Sequence, residues 1–373
     1  MPKINPEVEA FARIKVIGVG GSGKNATNYM IASKVGRVEF IVINTDAQDL
    51  HHSSASKKIH IGKNLTRGLG TGMNADLGRR AAEETKEEIQ EAIKGTDMIF
   101  ITGGLGGGTG TGASPIIAKI AKELGILTVA VVTKPFSFEG SQRMQLSEKG
   151  LAELQNEVDA VIIIPNDRIL KVAPKGMTLD NAFSMSDEVL KQAVEGISDL
   201  ITSPGRINVD FADINTIMEK SGSALMGIGR ATGEKRAEEA ARQAISSPLL
   251  DVSINGAKGV LFTIAGGDDM TMDEIQIAAN IITESIDPEA RVKFGTVKDT
   301  KLKKNEIKIT VIATGFSLPG NNNQENKQEV LEKNKIQNSI PMRRSEPKEQ
   351  KPIGQTIEEE DSWDAIPSFL RRK

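Results

Sequence analysis

The stretch Met98-Ile99-Phe100-Ile101-Thr102 runs directly into Gly103-Gly104-Leu105-Gly106-Gly107-Gly108-Thr109-Gly110-Thr111-Gly112 and then into helical text from Ser114 to Leu124. Every glycine adds backbone entropy that ordering must overcome. A run this dense between a buried strand and a helix therefore needs a physical reason. Backbone amides turned toward a large polyanion, with the Thr109 and Thr111 hydroxyls beside them, supply one. A flexible linker would not occupy that position.

A second glycine loop, Gly18-Val19-Gly20-Gly21-Ser22-Gly23-Lys24-Asn25, has the same setting, ending one strand and opening a helix. It fits two motifs. Gly18, Gly20 and Gly23 satisfy the G-x-G-x-x-G dinucleotide fingerprint, with Asp46 beyond the next strand near the distance of a ribose ligand. Gly18, Gly23 and Lys24 satisfy most of a phosphate loop, but Asn25 stands where a hydroxyl would hold magnesium. Two such loops on adjacent strands imply a di- or triphosphate at the carboxyl edge of a sheet.

Around these loops, β-branched runs alternate with helical stretches, the pattern of an α/β fold with a parallel sheet covered on both faces. Strands are expected at Arg13 to Gly18, Val38 to Asn44, Asp97 to Thr102, Leu127 to Thr133 and Ala160 to Pro165, and helices at Asp76 to Lys94 and Ser114 to Leu124. From Thr178 to Ile201, apolar residues recur at three- and four-residue steps, giving a helix about 36 Å long. A smaller mixed domain follows, with strands at Ala224 to Arg230, Gly259 to Ala265, Arg291 to Val297 and Glu306 to Ala313. Its helices lie near Glu234 to Ile245 and Met272 to Ser285. The expected division is a nucleotide-binding domain over 1–177, a central helix over 178–202 and a second α+β domain over 203–316. A disordered linker over 317–360 and a terminal peptide over 361–373 complete it.

Composition removes several alternatives. The 373 residues include no Cys and three His, so disulfide, cysteine–zinc and thiol chemistry are excluded. His51, His52 and His60 lie close in sequence but lack a carboxylate framework and read as a solvated loop, so no protein metal site is expected. Met226, Met270 and Met272 read as core filler. With 47 basic against 50 acidic residues, the chain offers no bulk attraction to nucleic acid or anionic lipid. The start, MPKINPEVEA, lacks a signal pattern and no apolar run could span a bilayer, so a cytoplasmic protein without membrane insertion is expected.

The glycine run resembles the tubulin signature. Its surroundings are similar to one family, the bacterial tubulin-like cell-division GTPases of the FtsZ type, through IKVIGVGG, INTD, GLGTG, GGLGGGTGTG, VVTKPFSFEG, IPND and NVDFAD. The resemblance runs from Arg13 to Phe316 and returns at the terminal peptide. It implies a GTP-hydrolysing protein that polymerises head-to-tail into a division ring at mid-cell, with GTP or GDP bound and magnesium accompanying it. Gly20, Gly21, Ser22, Gly23, Lys24 and Asn25 would embrace the phosphates together with Gly107, Gly108, Thr109, Gly110 and Thr111. Glu139 and Arg143 would lie at ribose and phosphates, and Asn166, Phe183 and Asp187 at the guanine. A carboxylate suits that last place because it accepts from both the ring N–H and the exocyclic amine of guanine, a pair adenine lacks. Ser22 and Lys24 fall where the family often has another small or polar residue.

Asn208, Asp210 and Asp213 match the family's catalytic loop, and the resemblance implies that they act on the nucleotide of the next subunit. Without it, the two acids could simply cap the helix that begins INTIMEK after Asp213. Asp364, Ile366, Pro367, Phe369, Leu370 and Arg371 would dock division proteins and membrane anchors. Two other classes fit parts of the pattern: a nicotinamide-dependent oxidoreductase using the first loop alone, and a nucleotide-binding regulator that does not polymerise. Neither would need both the second glycine loop and NVDFAD.

Overall fold

The computed structural model of the protein describes residues 12–172, 176–202, 206–207, 209–247, 254, 256–299 and 302–316. The expected linker and terminal peptide lie outside them. In the first half, strands β1 (Ile14–Val19), β2 (Glu39–Asn44), β3 (Lys57–His60), β4 (Met98–Gly104), β5 (Leu127–Lys134) and β6 (Ala160–Pro165) alternate with helices. These helices are α1 (Gly20–Ala32), α2 (Ala47–His51), α3 (Lys63–Thr66), α4 (Ala75–Glu84), α5 (Lys86–Ile93), α6 (Gly108–Glu123), α7 (Ser141–Gln155) and α8 (Asn166–Val172). The long helix α9 (Leu179–Thr202) leads on to α10 (Phe211–Met218), β7 (Gly222–Thr232), α11 (Arg236–Ile245), β8 (Gly259–Gly266), α12 (Met272–Thr283), β9 (Arg291–Lys298) and β10 (Glu306–Thr314).

All ten strands join one sheet in the order β3-β2-β1-β4-β5-β6-β7-β10-β8-β9. The six strands of the first half are parallel, and β10 runs antiparallel between β7 and β8. The order reverses between β1 and β4, the point at which a doubly wound sheet opens a crevice at its carboxyl edge. Both glycine loops leave the sheet there.

Period-two alternation sends neighbouring residues into two cores. Val16, Val42, Phe100 and Val131 pack with Met30 of α1 and with Val194 and Ile197 of α9. Ile17, Ile43, Ile101 and Val132 pack with Ile89, Ile93, Ile117 and Leu154 on the opposite face. A third cluster joins Phe262, Ile264 and Ile309 to the alanine faces of α11 and α12. Because the central strands are buried on both sides, their apolar runs are continuous and their sequence boundaries hold to within one or two residues.

Several expectations change. The single helix expected from Asp76 to Lys94 is two, broken at Thr85, whose Oγ1 bonds back to Ala81 O and accepts from Gly62 N–H. Such back-bonding competes with the helix ladder. The helix expected from Ser114 starts six residues earlier, so Gly108, Gly110 and Gly112 lie within α6 rather than in a loop. At Gly108 the reason is space, because a Cβ there would overlap the Thr71 hydroxyl and the Asn74 backbone. Met272 is 73% exposed and is not core filler, while Met226 is buried. His51 closes α2 and His60 lies in β3 with its ring against Thr45 O, so the three histidines do not share a loop. Among the described residues no helix is long and apolar enough to cross a membrane.

Val194 is fully buried midway along α9. Val194→Pro removes a helix hydrogen bond and brings the ring against the preceding turn, so the unfolding free energy should fall by about 3 kcal/mol or more. A urea titration of wild type and variant measures the difference.

Candidate functional site

The crevice at the switch point is a cavity of about 430 Å³. Its floor is the first glycine loop. Gly20 opens α1 with φ +71°, a conformation that glycine adopts freely and that turns the following amides toward the opening. Gly20, Gly21, Ser22 and Asn25 line the cavity; Gly23 and Lys24 do not. Gly23 is buried beneath the loop. Lys24 turns away, its Nζ 2.6 Å from Asp49 Oδ1, neither on the phosphate side nor free in solvent. Asp46 is likewise no ribose ligand in this arrangement. It caps α2, accepting from Asp49 N–H at 2.9 Å.

The second wall is Gly107, Gly108, Thr109 and Gly110. The two threonine hydroxyls are committed to the protein. Thr109 Oγ1 lies 2.8 Å from Thr45 Oγ1 and 3.2 Å from Thr71 Oγ1, while Thr111 Oγ1 accepts from Gly106 N–H at 2.8 Å and stays out of the cavity. Ser22 Oγ accepts from Gly104 N–H at 2.6 Å, tying one glycine loop to the other. Together the loops present main-chain amides and the amino end of α1, a surface suited to a polyanion.

A different chemistry occupies the far side of the cavity. Glu139 Oε2 pairs with Arg143 Nη1 at 2.7 Å while Oε1 accepts from Phe136 N–H, so the Arg143 guanidinium is held at the rim by a fixed carboxylate. Phe136 is fully buried, with its ring stacked on Phe138 and edge-on to Phe183. Phe183 is 41% exposed and offers an aromatic face to the cavity. Asn166 begins α8, and its Oδ1 accepts from Ser186 Oγ at 2.9 Å, which leaves the amide N–H groups as donors. One residue on, Asp187 lines the same end, and burial pushes its carboxyl up to about 7. A flat aromatic face, an amide donor and a carboxylate suit a planar base with adjacent N–H donors.

Thr71, Gly72, Met73, Leu105, Thr133, Pro135, Ser186 and Leu190 also line the cavity and were not assigned from sequence. The segment GLGTG, which contains Thr71 and Gly72, was the available signal.

The acid loop lies elsewhere. Leu190 is the last residue of α9 on the cavity, and the remaining run to Thr202 carries the chain about 18 Å farther along the helix. Past that end, Ile207 exchanges two hydrogen bonds with Thr296 of β9. Asp210, not Asp213, is the N-cap of α10, accepting from Ala212 N–H. Asp213 sits in the first turn of α10, with Oδ1 2.8 Å from Lys293 Nζ. Asn208 lies outside the described residues. Neither acid reaches the cavity of its own subunit.

The fold and site define a tubulin-class GTPase architecture. Residues 13–174 match the Tubulin/FtsZ family, GTPase domain, and residues 222–317 match the FtsZ family, C-terminal domain. An FtsZ dimer from M. jannaschii is 45% identical, with 83% of this chain and 89% of that chain covered at a TM-score of 0.79. A point mutant of FtsZ from the same organism is 45% identical, with 82% and 91% covered at 0.78. CetZ2 from Haloferax volcanii, a GTPγS-bound protofilament, shares the fold at 22% identity, with 87% and 99% covered at 0.70. The chain belongs to the FtsZ family.

The raised Asp187 carboxyl has a measurable consequence. A ligand that donates two N–H groups to Asp187 needs its ionised form, so the affinity of such a ligand should fall by about tenfold per pH unit below pH 7 and level off above it. The nucleotide-free protein moves the other way. Its carboxyl holds a proton that the unfolded chain has released above about pH 4, so this group adds stability as pH falls from 7 toward 4. Calorimetric titration with GDP from pH 5.5 to 8 checks the first sign and thermal unfolding the second; Asp187→Asn should flatten both.

Proposed function

We propose that the chain binds GTP in the switch-point cavity and hydrolyses it when a second copy, stacked head-to-tail, brings Asp210 and Asp213 to the γ-phosphate. The observation that carries this reading is the separation of the two half-sites by the second half of α9, from Leu190 to Thr202. A cradle that lacks Asp210 and Asp213, and a pair of acids that lacks a cradle, are complementary only between molecules. A contact of this heterologous kind that does not close generates an open filament.

The rim of the cavity supports the same arrangement. Met73 and Phe183 on the wall, Phe138 stacked on Phe136, and Leu179 one turn before Phe183 are exposed large apolar side chains. Such a patch around a polar cavity is what a protein partner covers.

In the assembled site, Asn166 and Asp187 hold the guanine and Phe183 stacks on it. Glu139 and Arg143 lie at the ribose and phosphates, and the amides of Gly20 to Ser22 and Gly107 to Gly110 neutralise charge on the phosphoryl oxygens. Asp210 and Asp213 of the neighbour orient a water in line with the γ-phosphate, while amide donors fixed before the reaction stabilise the charge that develops. Asn25 lines the cavity and its amide oxygen would hold a magnesium ion accompanying the phosphates, an ion that keeps most of its waters and needs few protein ligands. When bound, such an ion would supply charge neutralisation at the phosphates.

On this reading, 1–177 binds nucleotide, 178–202 couples it to the second domain at 203–316, and 317–360 tethers the peptide 361–373. Asp364, Ile366, Pro367, Phe369, Leu370 and Arg371 of that peptide dock the filament to division proteins and membrane anchors, so that the polymer forms a cytoplasmic ring at the division site.

Asp210→Ala and Asp213→Ala should each keep GDP affinity within about twofold and lose about 10²-fold or more in hydrolysis. Mixing Asp213→Ala, which has an intact cradle, with Asp187→Ala, which has intact acids, should recover activity that neither shows alone. Phosphate release measured against protein concentration should rise faster than linearly. Activity proportional to concentration down to dilute protein, with no recovery on mixing, would sink the shared site.

A further inference from the structure

We infer that Asp49 is an affinity-setting residue: its ion pair with Lys24 is a charge gate that keeps the lysine off the phosphates and limits how tightly nucleotide is held. The inference rests on the nucleotide reading of the cavity and concerns two residues that reading leaves unused.

Lys24 carries the sequence signal of a phosphate-loop lysine, following Gly23 in the first glycine loop. The structure commits it elsewhere. Its side chain is 12% exposed, and Nζ sits 2.6 Å from Asp49 Oδ1. A lysine early in a helix is unfavourable with respect to the helix dipole, and a partly buried ammonium requires a partner. Asp49 provides both compensations.

The carboxylate is held in place. Its Oδ2 accepts from Asn44 Nδ2 at 2.8 Å, and its own N–H donates to the Asp46 cap at 2.9 Å. Asn44 is itself fixed, because its Oδ1 accepts from Thr45 N–H at 2.8 Å. Oδ2 of Asp49 stands 3.5 Å from the position a Cβ would take on Gly21, and Gly21 lines the cavity. A negative charge therefore lies directly behind the phosphate cradle, a poor neighbour for a polyanion unless cancelled. Lys24 cancels it.

The two charges together leave little net field at the phosphates. Remove the carboxylate, and a flexible ammonium stem is free to turn into the cradle. Remove the ammonium, and an uncompensated carboxylate remains beside the bound phosphates. A unit charge several ångströms from a polyphosphate in a half-exposed site changes binding by about tenfold. The two single variants should therefore shift affinity in opposite directions. A purely structural clip between α1 and α2 would behave differently, since breaking it from either side loosens the loop and weakens binding both times.

The test uses the full chain and measures GDP and guanosine binding by calorimetry. Wild type must bind GDP; if it does not, the nucleotide reading fails and this inference with it. Given that binding, Asp49→Asn should hold GDP about tenfold tighter, Lys24→Gln about tenfold weaker, and the double variant should return to within about threefold of wild type. Added salt should shrink both shifts. Guanosine, which has no phosphate, should bind all four proteins alike. Losses in both single variants, no change in either, or a parallel shift in guanosine affinity would overturn the gate while leaving the nucleotide site intact. Should Asp49→Asn fail to fold, Lys24→Gln decides alone: GDP weakened with guanosine unchanged upholds the gate, and any other result overturns it.

Discussion

The hydroxyl of Thr109 meets those of Thr45 and Thr71 inside the protein, and the site depends on that junction. Thr45 follows β2, Thr71 lies in the segment before α4, and Thr109 is the second residue of α6. Three separate chain segments therefore converge on one buried atom. A polar junction with little water access is stable only when its members satisfy one another, so it fixes geometry more than it adds stability. Around it, Ser22 anchors the strand-end amide of Gly104 and Thr111 anchors Gly106. The amides that face the cavity are consequently held before any ligand arrives. Such preorganisation is what a phosphate site needs, because amides that must first be ordered lose part of the binding energy in doing so.

Much of this was legible in the sequence because burial on two faces leaves a strong mark. β6 starts and ends at the residues expected, and α9 is displaced by one residue. Where one face meets water the mark weakens. β3, Lys57–His60, is a short edge strand with two lysines, and α7 carries charges over most of its length; neither was anticipated. The site was readable as a set of loops but not as a set of contacts. Glycine spacing points to an anion cradle whichever side chains surround it, whereas the partner of Lys24 and the capping role of Asp46 depend on α2, which has no apolar pattern of its own. The threonines of the second loop illustrate the same limit. Their hydroxyls look like ligand donors in sequence and are structural bonds in space.

Lys293 adds a further element to the acid loop. It stands on β9, the outermost strand of the second half, and holds one oxygen of Asp213. Ile207 meets the same strand two bonds at a time. The edge of the sheet thus braces the loop at two points, Thr296 and Lys293.

The seam between the halves of the sheet is narrow. β6 and β7 pair over Ala160↔Gly222, Ser223 opposite Val161, and Ile162↔Ala224, whereas β7 and β10 pair over nine positions from Glu306↔Thr232 to Thr314↔Ala224. In mechanical terms the subunit is a stiff plate with one compliant line, backed by the rod of α9. A bending load on such a plate concentrates its deformation at that line. The two halves can then tilt against each other while the pairing within each half stays intact.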